Sequence, residues 1–383
     1  MDVEQAVAER YSAGAQAVQP ELCCPTDYDP RYLDAIPAEV LERDYGCGDP
    51  SRHLAEGETV LDLGSGGGKL CFIASQVVGP TGAVVGVDIN DDMLALARRS
   101  TAQVATAVGY ANVRFLKGRI QDLGLDVEAL ESWLQRHPVA DLAGMSALEA
   151  EVARLRSTAP LVADSSVDVV ISNCVLNLVA TEHKVALFTE IFRVLRRGGR
   201  AVISDIVSDV TVPDALRCDP ELWSGCCSGA FQEEAFLAAF ADAGFHGISI
   251  ERRDSAPWRV LNGVELRSMT VVAYKGKQGE CRDHGQSVIY RGPWRAVLDD
   301  DDHVYMRGAP TAVCAKTFEL LGRAPYADRF ERLEPAERVD PQTAPLFACA
   351  PPAALSAPGA PDAEGALRRP VTGMGVGSPG GCC

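Results

Sequence analysis

Three cysteines in this chain occupy contexts suited to holding a soft ligand. Cys47 lies in Asp44-Tyr45-Gly46-Cys47-Gly48, Cys174 follows an apolar run in Ile171-Ser172-Asn173-Cys174, and Cys226 stands in Trp223-Ser224-Gly225-Cys226-Cys227-Ser228-Gly229. Thiolates are soft ligands and prefer soft, thiophilic elements. Between the first two thiols runs a glycine-rich loop, Asp62-Leu63-Gly64-Ser65-Gly66-Gly67-Gly68. Such a loop lets the backbone approach a nucleotide-type cofactor and presents free N–H groups at a helix start. The two features together predict a sulfur-held acceptor beside a bound donor.

A glycine-rich loop alone is a weak signal, and its surroundings strengthen it. Val60-Leu61 reads as a strand leading into Asp62, Gly64, Ser65 and Gly66. The next predicted strand ends at Asp88, followed by Ile89, where a carboxylate can accept both hydroxyls of a ribose. The Asp-x-Gly-x-Gly-x-Gly form differs from the Gly-x-Gly-x-x-Gly of dinucleotide dehydrogenases. It resembles motifs I and II of class I S-adenosylmethionine-dependent methyltransferases. The resemblance implies that Ile120 and Gln121, in Gly118-Arg119-Ile120-Gln121-Asp122, meet the adenine and that Asn173 faces the methionine end. Met93, on the helix after Asp88, is expected to cover the adenine, and Tyr45 to close over the cofactor.

A closer resemblance lies in the thiol segments. Asp44-Tyr45-Gly46-Cys47-Gly48, the Asp62 loop, Gly79 with Gly82, Ser172-Asn173-Cys174-Val175-Leu176-Asn177-Leu178-Val179, Ser204-Asp205 and Trp223-Ser224-Gly225-Cys226 look like arsenite methyltransferases. The likeness spans roughly residues 20–275. It implies that Cys47, Cys174 and Cys226 hold trivalent arsenic, and that Cys23 or Cys24 joins a disulfide relay. Cys227 adjoins Cys226, and only one of the pair is expected to face the site. Arsenic(III) held by sulfur keeps a lone pair that can attack a sulfonium methyl in line, so the protein's task is chiefly proximity. Methylation formally oxidises the arsenic. A thiol pair can return two electrons by forming a disulfide, reduced again by thioredoxin or glutathione. Two alternatives use the same features differently: methylation of a selenol or thiol metabolite, and non-enzymatic metalloid sequestration.

The elements that must position these groups are an alternation of short Val- and Ile-rich runs with helical patterns over 56–274. This predicts an α/β fold: a doubly wound, seven-stranded, mostly parallel Rossmann-like sheet with one antiparallel strand at its end. Residues 1–55 form an N-terminal helical cap carrying thiols, and 127–160 insert two amphipathic helices around His137-Pro138. Residues 275–330 form a small α+β unit, in which Ser287–Tyr290 and Val304–Arg307 pair across the acidic Asp299–Asp302 turn. The Pro/Ala/Gly-rich stretch 331–383, ending in Cys382-Cys383, is expected to be a disordered tail. The helix containing Leu187 and Leu195 is expected to stop at Gly198-Gly199.

A net charge of −17 excludes a nucleic-acid partner, which calls for a basic surface. The polar start Met1-Asp2-Val3-Glu4-Gln5 predicts no secretory signal. No apolar run reaches the roughly 20 residues of a membrane span, so the expected location is the cytoplasm. Thirteen cysteines there are free thiols, soft ligands or redox groups rather than a disulfide lattice. Cys71 reads as core, and Cys218, Cys281, Cys314 and Cys349 lack ligand spacing.

Overall fold

The computed structural model describes residues 3–19, 26–335, 337 and 339–348. The chain divides into two compact units, Met1–Gly276 and Lys277–Cys383. Cys23, Cys24, Cys349, Cys382 and Cys383 lie outside the described residues, as does the tail expected beyond 348.

The first unit carries nine strands: β1 (Thr59–Leu63), β2 (Ala83–Asp88), β3 (Val113–Lys117), β4 (Val167–Asn173), β5 (Leu195–Ser208), β6 (Phe231–Gln232), β7 (His246–Arg253), β8 (Arg259–Leu261) and β9 (Val264–Tyr274). Their order is β3-β2-β1-β4-β5-β9-β7, with β6 on β5 and β8 on β9. β1 to β5 run parallel, and β9 runs antiparallel to both β5 and β7. The antiparallel strand therefore sits inside the sheet, not at its end. β7 arrives by a crossover helix and leaves a gap beside β5, and the short return through β8 brings β9 back into that gap.

Ten α-helices among the described residues accompany the sheet: α1 (Val3–Gln16), α2 (Ala38–Glu42), α3 (Lys69–Val78), α4 (Asp91–Val108), α5 (Val127–Arg136), α6 (Leu142–Thr158), α7 (Lys184–Val194), α8 (Asp214–Arg217), α9 (Pro220–Ser224) and α10 (Glu233–Asp242). Alternate strand residues feed two cores, as a sheet covered on both faces requires. Leu61, Leu63, Val87 and Ile203 pack with Phe188, Phe236 and Phe240. Val60, Val84, Val169 and Val202 pack with Phe72, Leu94 and Leu96. The insertion forms α5 and α6, whose first turns are capped by Asp126 and Asp141.

α7 ends at Val194, earlier than the glycine pair. Gly198-Gly199 lies within β5, where the register against β4 shifts between Val167 and Val169. The pair makes a strand irregularity rather than a helix stop. α2 ends at Glu42. Asp44 is drawn to Lys69 Nζ at 2.9 Å and the Tyr45 hydroxyl donates to Gly14 O at 3.0 Å, which turns these residues out of the helix.

The second unit has β10 (Ser287–Tyr290), β11 (Ala296–Leu298), β12 (Val304–Met306), β13 (Pro310–Ala312), α11 (Ala315–Leu321) and β14 (Phe330–Leu333). β13-β10-β14 form one sheet and β11-β12 a hairpin. The acidic turn thus joins β12 to β11, its near neighbour, and not to β10. The Asp299 carboxylate accepts from Asp301 N, His303 N and the Tyr305 hydroxyl, each at 2.9 Å, so Asp299 holds the turn itself, while the Asp301 carboxylate pairs with Lys277 at 2.9 Å. Pairing continues past residue 331 through β14 and an Arg282–Leu346 bridge, beyond the point where composition placed the start of the tail.

Candidate active site

Parallel sheets of this type bind ligands beyond the carboxyl ends of their strands. Here β1, β2 and β4 end in a cavity of about 560 Å³, roofed by Glu4, Gln5, Val7, Ala8 and Tyr11 of α1. The other residues lining it include Tyr45, Asp62, Gly64, Ser65, Gly66, Asp88, Ile89, Met93, Ile120, Gln121 and Asn173. Every residue that the sequence assigned to a cofactor is therefore in one cavity. Cys174 also lines it.

The polar end groups are arranged for a ligand with hydroxyl and cationic parts. Asp88 accepts from Gly66 N through one oxygen and from Asn90 N through the other, each at 2.8 Å. Burial still holds its carboxyl above the usual range, against the pull of the Asn90, Gly66 and Ile89 amides. Burial pushes Asp62 up to about 8, although the Cys71 thiol donates to it at 3.2 Å. Cys71 is thus core, as expected, and also a partner of Asp62. Ser65 Oγ is buried without a hydrogen-bond partner. Gly64, at φ +68°, presses so closely on Val175 that a Cβ would come within 2.4 Å of its methyl. The loop accepts no side chain there.

Cys174 connects this cavity to the thiols. Cys47, Cys174, Cys226 and Cys227 belong to one buried cluster with Ile206, Val212, Val264 and Leu266. The Cys47 and Cys174 sulfurs and one Asp205 carboxylate oxygen all lie within 4.8 Å of one another. Both Cys47 and Cys226 lie close enough to act on the Cys174 thiol electrostatically. The Cys226 thiol also donates to Cys174 O at 3.1 Å. The Cys226 sulfur is not part of that Cys47–Cys174–Asp205 group and joins the cluster through the Cys174 carbonyl. Cys227 turns the other way, toward Arg259, whose guanidinium donates to its sulfur at 3.7 Å.

Each thiol segment is held by an identifiable device. Gly46 and Gly48 let the Cys47 loop lie against the sheet ends: a Cβ on Gly46 would fall 2.2 Å from Asn173 Nδ2, and one on Gly48 2.6 Å from Ser204 Oγ. Asn173 Oδ1 accepts from Cys47 N at 2.8 Å and Gly48 N at 3.1 Å, and its Nδ2 donates to Gly48 O and Tyr28 Oη. Cys174 and Cys226 both sit on left-handed backbone, at φ +63° and +59°. That conformation costs about 1–2 kcal/mol for an ordinary residue and persists where surroundings over-determine it. Asp205 supplies much of that determination: its carboxylate accepts from Leu176 N, Ile206 N and Asn177 Nδ2, each at 2.8 Å. Asn177 Nδ2 in turn donates to Ile206 O at 2.6 Å and reaches Cys226 O at 3.4 Å. Trp223 packs under the same loop and donates from its indole to Leu178 O.

The surroundings of Cys174 and Cys226 favour the neutral thiol. The Cys226 hydrogen bond pulls the Cys174 thiol down, but its bond with Cys47, burial and neighbouring negative groups hold it well above the usual range. Cys226 is raised by its hydrogen bond with Cys174 and by burial. Burial pushes Asp205 up to about 6, against its three hydrogen bonds and the charge of Lys184.

The comparisons agree with this geometry. A family model described as a methyltransferase domain matches residues 54–141 and 126–244, and a domain of unknown function matches 277–361. The arsenite methyltransferase of Aquipseudomonas alcaligenes is 32% identical over 81% of this chain and 84% of its own length. The human arsenite methyltransferase is 31% identical over 78% of this chain and 73% of its own. The crystal structure of an arsenic(III) S-adenosylmethionine methyltransferase from Chlamydomonas reinhardtii superposes with a TM-score of 0.53 and 27% identity, over 82% of this chain and 99% of that one.

The chain belongs to the arsenite methyltransferase family.

It is accordingly an S-adenosylmethionine-dependent methyltransferase of arsenic with a class I fold. The cavity suits that donor: its volume is typical of a cofactor site, and two buried carboxyls line it where hydroxyl and ammonium groups would be welcome. No helix among the described residues is long and apolar enough to cross a membrane.

Two features were not visible in the sequence. Asp205 stood in a matched motif without a role, and Tyr11 carried no local signal. Asn173, expected at the donor's methionine end, does line the cavity, but its side-chain hydrogen bonds run to the Cys47 loop and Tyr28. Asn173→Ala is therefore expected to weaken arsenite binding about tenfold or more, by freeing that loop, and donor binding much less. Titrating each ligand separately by calorimetry checks this; an equal loss for both ligands contradicts it.

Proposed function

We propose that Cys47, Cys174 and Cys226 hold trivalent arsenic as a three-sulfur complex at the edge of the donor cavity, with Cys23 or Cys24 completing a disulfide relay. The observation that carries this reading is Cys174, whose sulfur lies within 4.8 Å of that of Cys47, whose carbonyl accepts from the Cys226 thiol at 3.1 Å, and which lines the cavity. Neutral thiols suit a neutral hydroxylated arsenite. As each As–S bond forms, one As–O bond breaks, and the thiol proton leaves with that hydroxide as water. No net charge enters the buried site.

Bound in the cavity, S-adenosylmethionine supplies an electrophilic methyl group. The chain's part is to bind, orient and exclude water. Asp88 would accept the ribose hydroxyls, the Gly64–Gly66 amides would follow the amino-acid part, and Ile120, Gln121 and Met93 would frame the adenine. Tyr45 and α1 cover the cavity, and the three sulfurs fix the arsenic lone pair in one direction, which is the entropic share of catalysis.

Methyl transfer removes two electrons formally from arsenic. Two thiolates return them by joining in a disulfide, and a thioredoxin- or glutathione-type dithiol or thiol reductant restores the pair. Protein loaded with arsenite and donor, without added thiol, is expected to complete one transfer and lose two free thiols. Added thioredoxin should restart turnover. Retention of every free thiol after the transfer would contradict the relay.

Asp62 makes donor binding pH-dependent. Its pKa of about 8 in the folded, donor-free protein lies well above the ordinary carboxyl value. Folding therefore favours its protonated form, a contribution fully present below about pH 4 and lost as pH rises through about 8. The donor's ammonium instead favours the carboxylate. Donor affinity is expected to rise from pH 6 to 8 in the wild type and to be flatter in Asp62→Asn, by calorimetry at matched ionic strength.

A further inference from the structure

We infer that Tyr11, on the N-terminal helix and 215 residues away in sequence, is a positioning residue for the Cys226 sulfur and so helps to set the affinity for arsenic. The inference rests on Cys226 being an arsenic ligand, as proposed above.

The phenol oxygen of Tyr11 lies 3.7 Å from Cys226 Sγ. Direction follows from the proton count. A thiol has one hydrogen, and that of Cys226 is directed at Cys174, whose carbonyl accepts it at 3.1 Å. The sulfur can then offer only lone pairs to Tyr11, and the phenol is the donor.

Loss of the Cys226 hydrogen makes this contact matter more. When an As–S bond replaces S–H, the sulfur loses its link to the Cys174 carbonyl and becomes electron-rich. The Tyr11 hydroxyl then remains as a donor on that sulfur, and hydrogen bonds to charged or electron-rich acceptors are the stronger kind. Tyr11 thereby fixes the orientation of the sulfur rather than merely filling space.

α1 is anchored so that this hydroxyl stays in place. Asn90 Nδ2 donates to Ala8 O and Ser12 Oγ, each at 3.1 Å. Arg10 donates to Glu221 O at 2.9 Å, in the helix that leads into the Cys226 loop. The Tyr11 ring meets Tyr45 edge-on, with centroids 6.1 Å apart. Because Tyr11 also lines the donor cavity, its ring and its hydroxyl serve different neighbours: the ring covers the donor, and the oxygen holds the thiol.

Tyr11→Phe separates these two parts. It keeps the ring and removes the donor. On full-length protein, arsenite affinity is expected to fall about tenfold, with S-adenosylmethionine affinity within about twofold of wild type. Cys226→Ser, measured alongside, should also weaken arsenite binding, and adding Tyr11→Phe to it should cost little more. Arsenite titration of the wild type should perturb a tyrosine signal in the near-ultraviolet difference spectrum, a readout that needs no folded variant. Unchanged arsenite affinity in Tyr11→Phe beside a weakened Cys226→Ser overturns the role of Tyr11 alone. Equal losses for both ligands, or a tyrosine spectrum blind to arsenite, overturn it as well. Undiminished affinity in Cys226→Ser overturns instead the ligand reading on which it rests.

Discussion

Cys174→Ser is expected to lower arsenite methylation by at least about a hundredfold while leaving S-adenosylmethionine affinity within about twofold. Cys174 is the hub of the sulfur cluster, beside Cys47, bonded through its carbonyl to the Cys226 thiol and lining the donor cavity. Serine adopts the same left-handed backbone at φ +63° as readily as cysteine, and it keeps the Cys174 N bond to Ser204 O at 2.8 Å. What it removes is the soft ligand nearest the donor. Misplacing a reacting atom by about an ångström costs on the order of a hundredfold, and losing a ligand displaces the arsenic by more. The polar contacts proposed for the donor lie on β1 and β2, with Asp62 and Asp88, and do not pass through this thiol. Steady-state methylation resolved by arsenic species, with donor calorimetry on the same sample, gives both numbers. Methylation within a few-fold of wild type would place the arsenic elsewhere.

Asp88→Ala is expected to do the reverse: donor affinity falls about ten- to a hundredfold, and arsenite affinity stays within about twofold. Hydrogen bonds to an ionised group contribute about 1.5–3 kcal/mol. The Asp88 carboxylate holds the Gly66 amide of the glycine loop and the Asn90 amide at the start of α4. Its removal costs both the proposed ribose contact and the pre-set shape of the loop. Asn90 still caps α4 through the Asp92 and Met93 amides, so the helix itself is retained. The two substitutions together separate the donor and acceptor halves of the site. If Asp88→Ala lowered arsenite affinity as far as donor affinity, the halves would not be independent.

The strands were legible because their physical signal is local. Thr59–Leu63 and Ala83–Asp88 are short apolar runs buried on both faces, and the sequence bounded both as the structure does. The cavity residues were legible because loop chemistry places them: Asp62 and Asp88 end adjacent strands, and Gly64 to Gly66 open α3. Contacts that depend on the return of distant chain were not. The sequence could not place β9 between β5 and β7, since nothing in Val264–Tyr274 distinguishes an edge from an interior neighbour. It read Gly198-Gly199 as a helix stop, because glycine signals a break without saying which element it breaks. It paired Val304–Arg307 with Ser287–Tyr290, where the nearer Ala296–Leu298 closes the hairpin and a Tyr290–Arg307 bridge joins the expected partners.

The thiol site shows the same division. Residue type and flanking glycines picked out Cys47, Cys174 and Cys226, and side-chain alternation anticipated that Cys226 and Cys227 diverge. The supports came only from three dimensions. Asp205 binds the Leu176 and Ile206 amides and Asn177, which tie the Cys174 and Cys226 turns together. Asn173 serves the Cys47 loop more than the donor.

Arsenic K-edge X-ray absorption on the full-length protein loaded with one equivalent of arsenite measures the number of sulfur neighbours directly. Three sulfurs in the wild type are expected, falling in Cys47→Ser, Cys174→Ser and Cys226→Ser and unchanged in Cys218→Ser. A sulfur count indifferent to any of the first three substitutions, or an oxygen-dominated shell in the wild type, would show that these thiols do not together hold the metalloid.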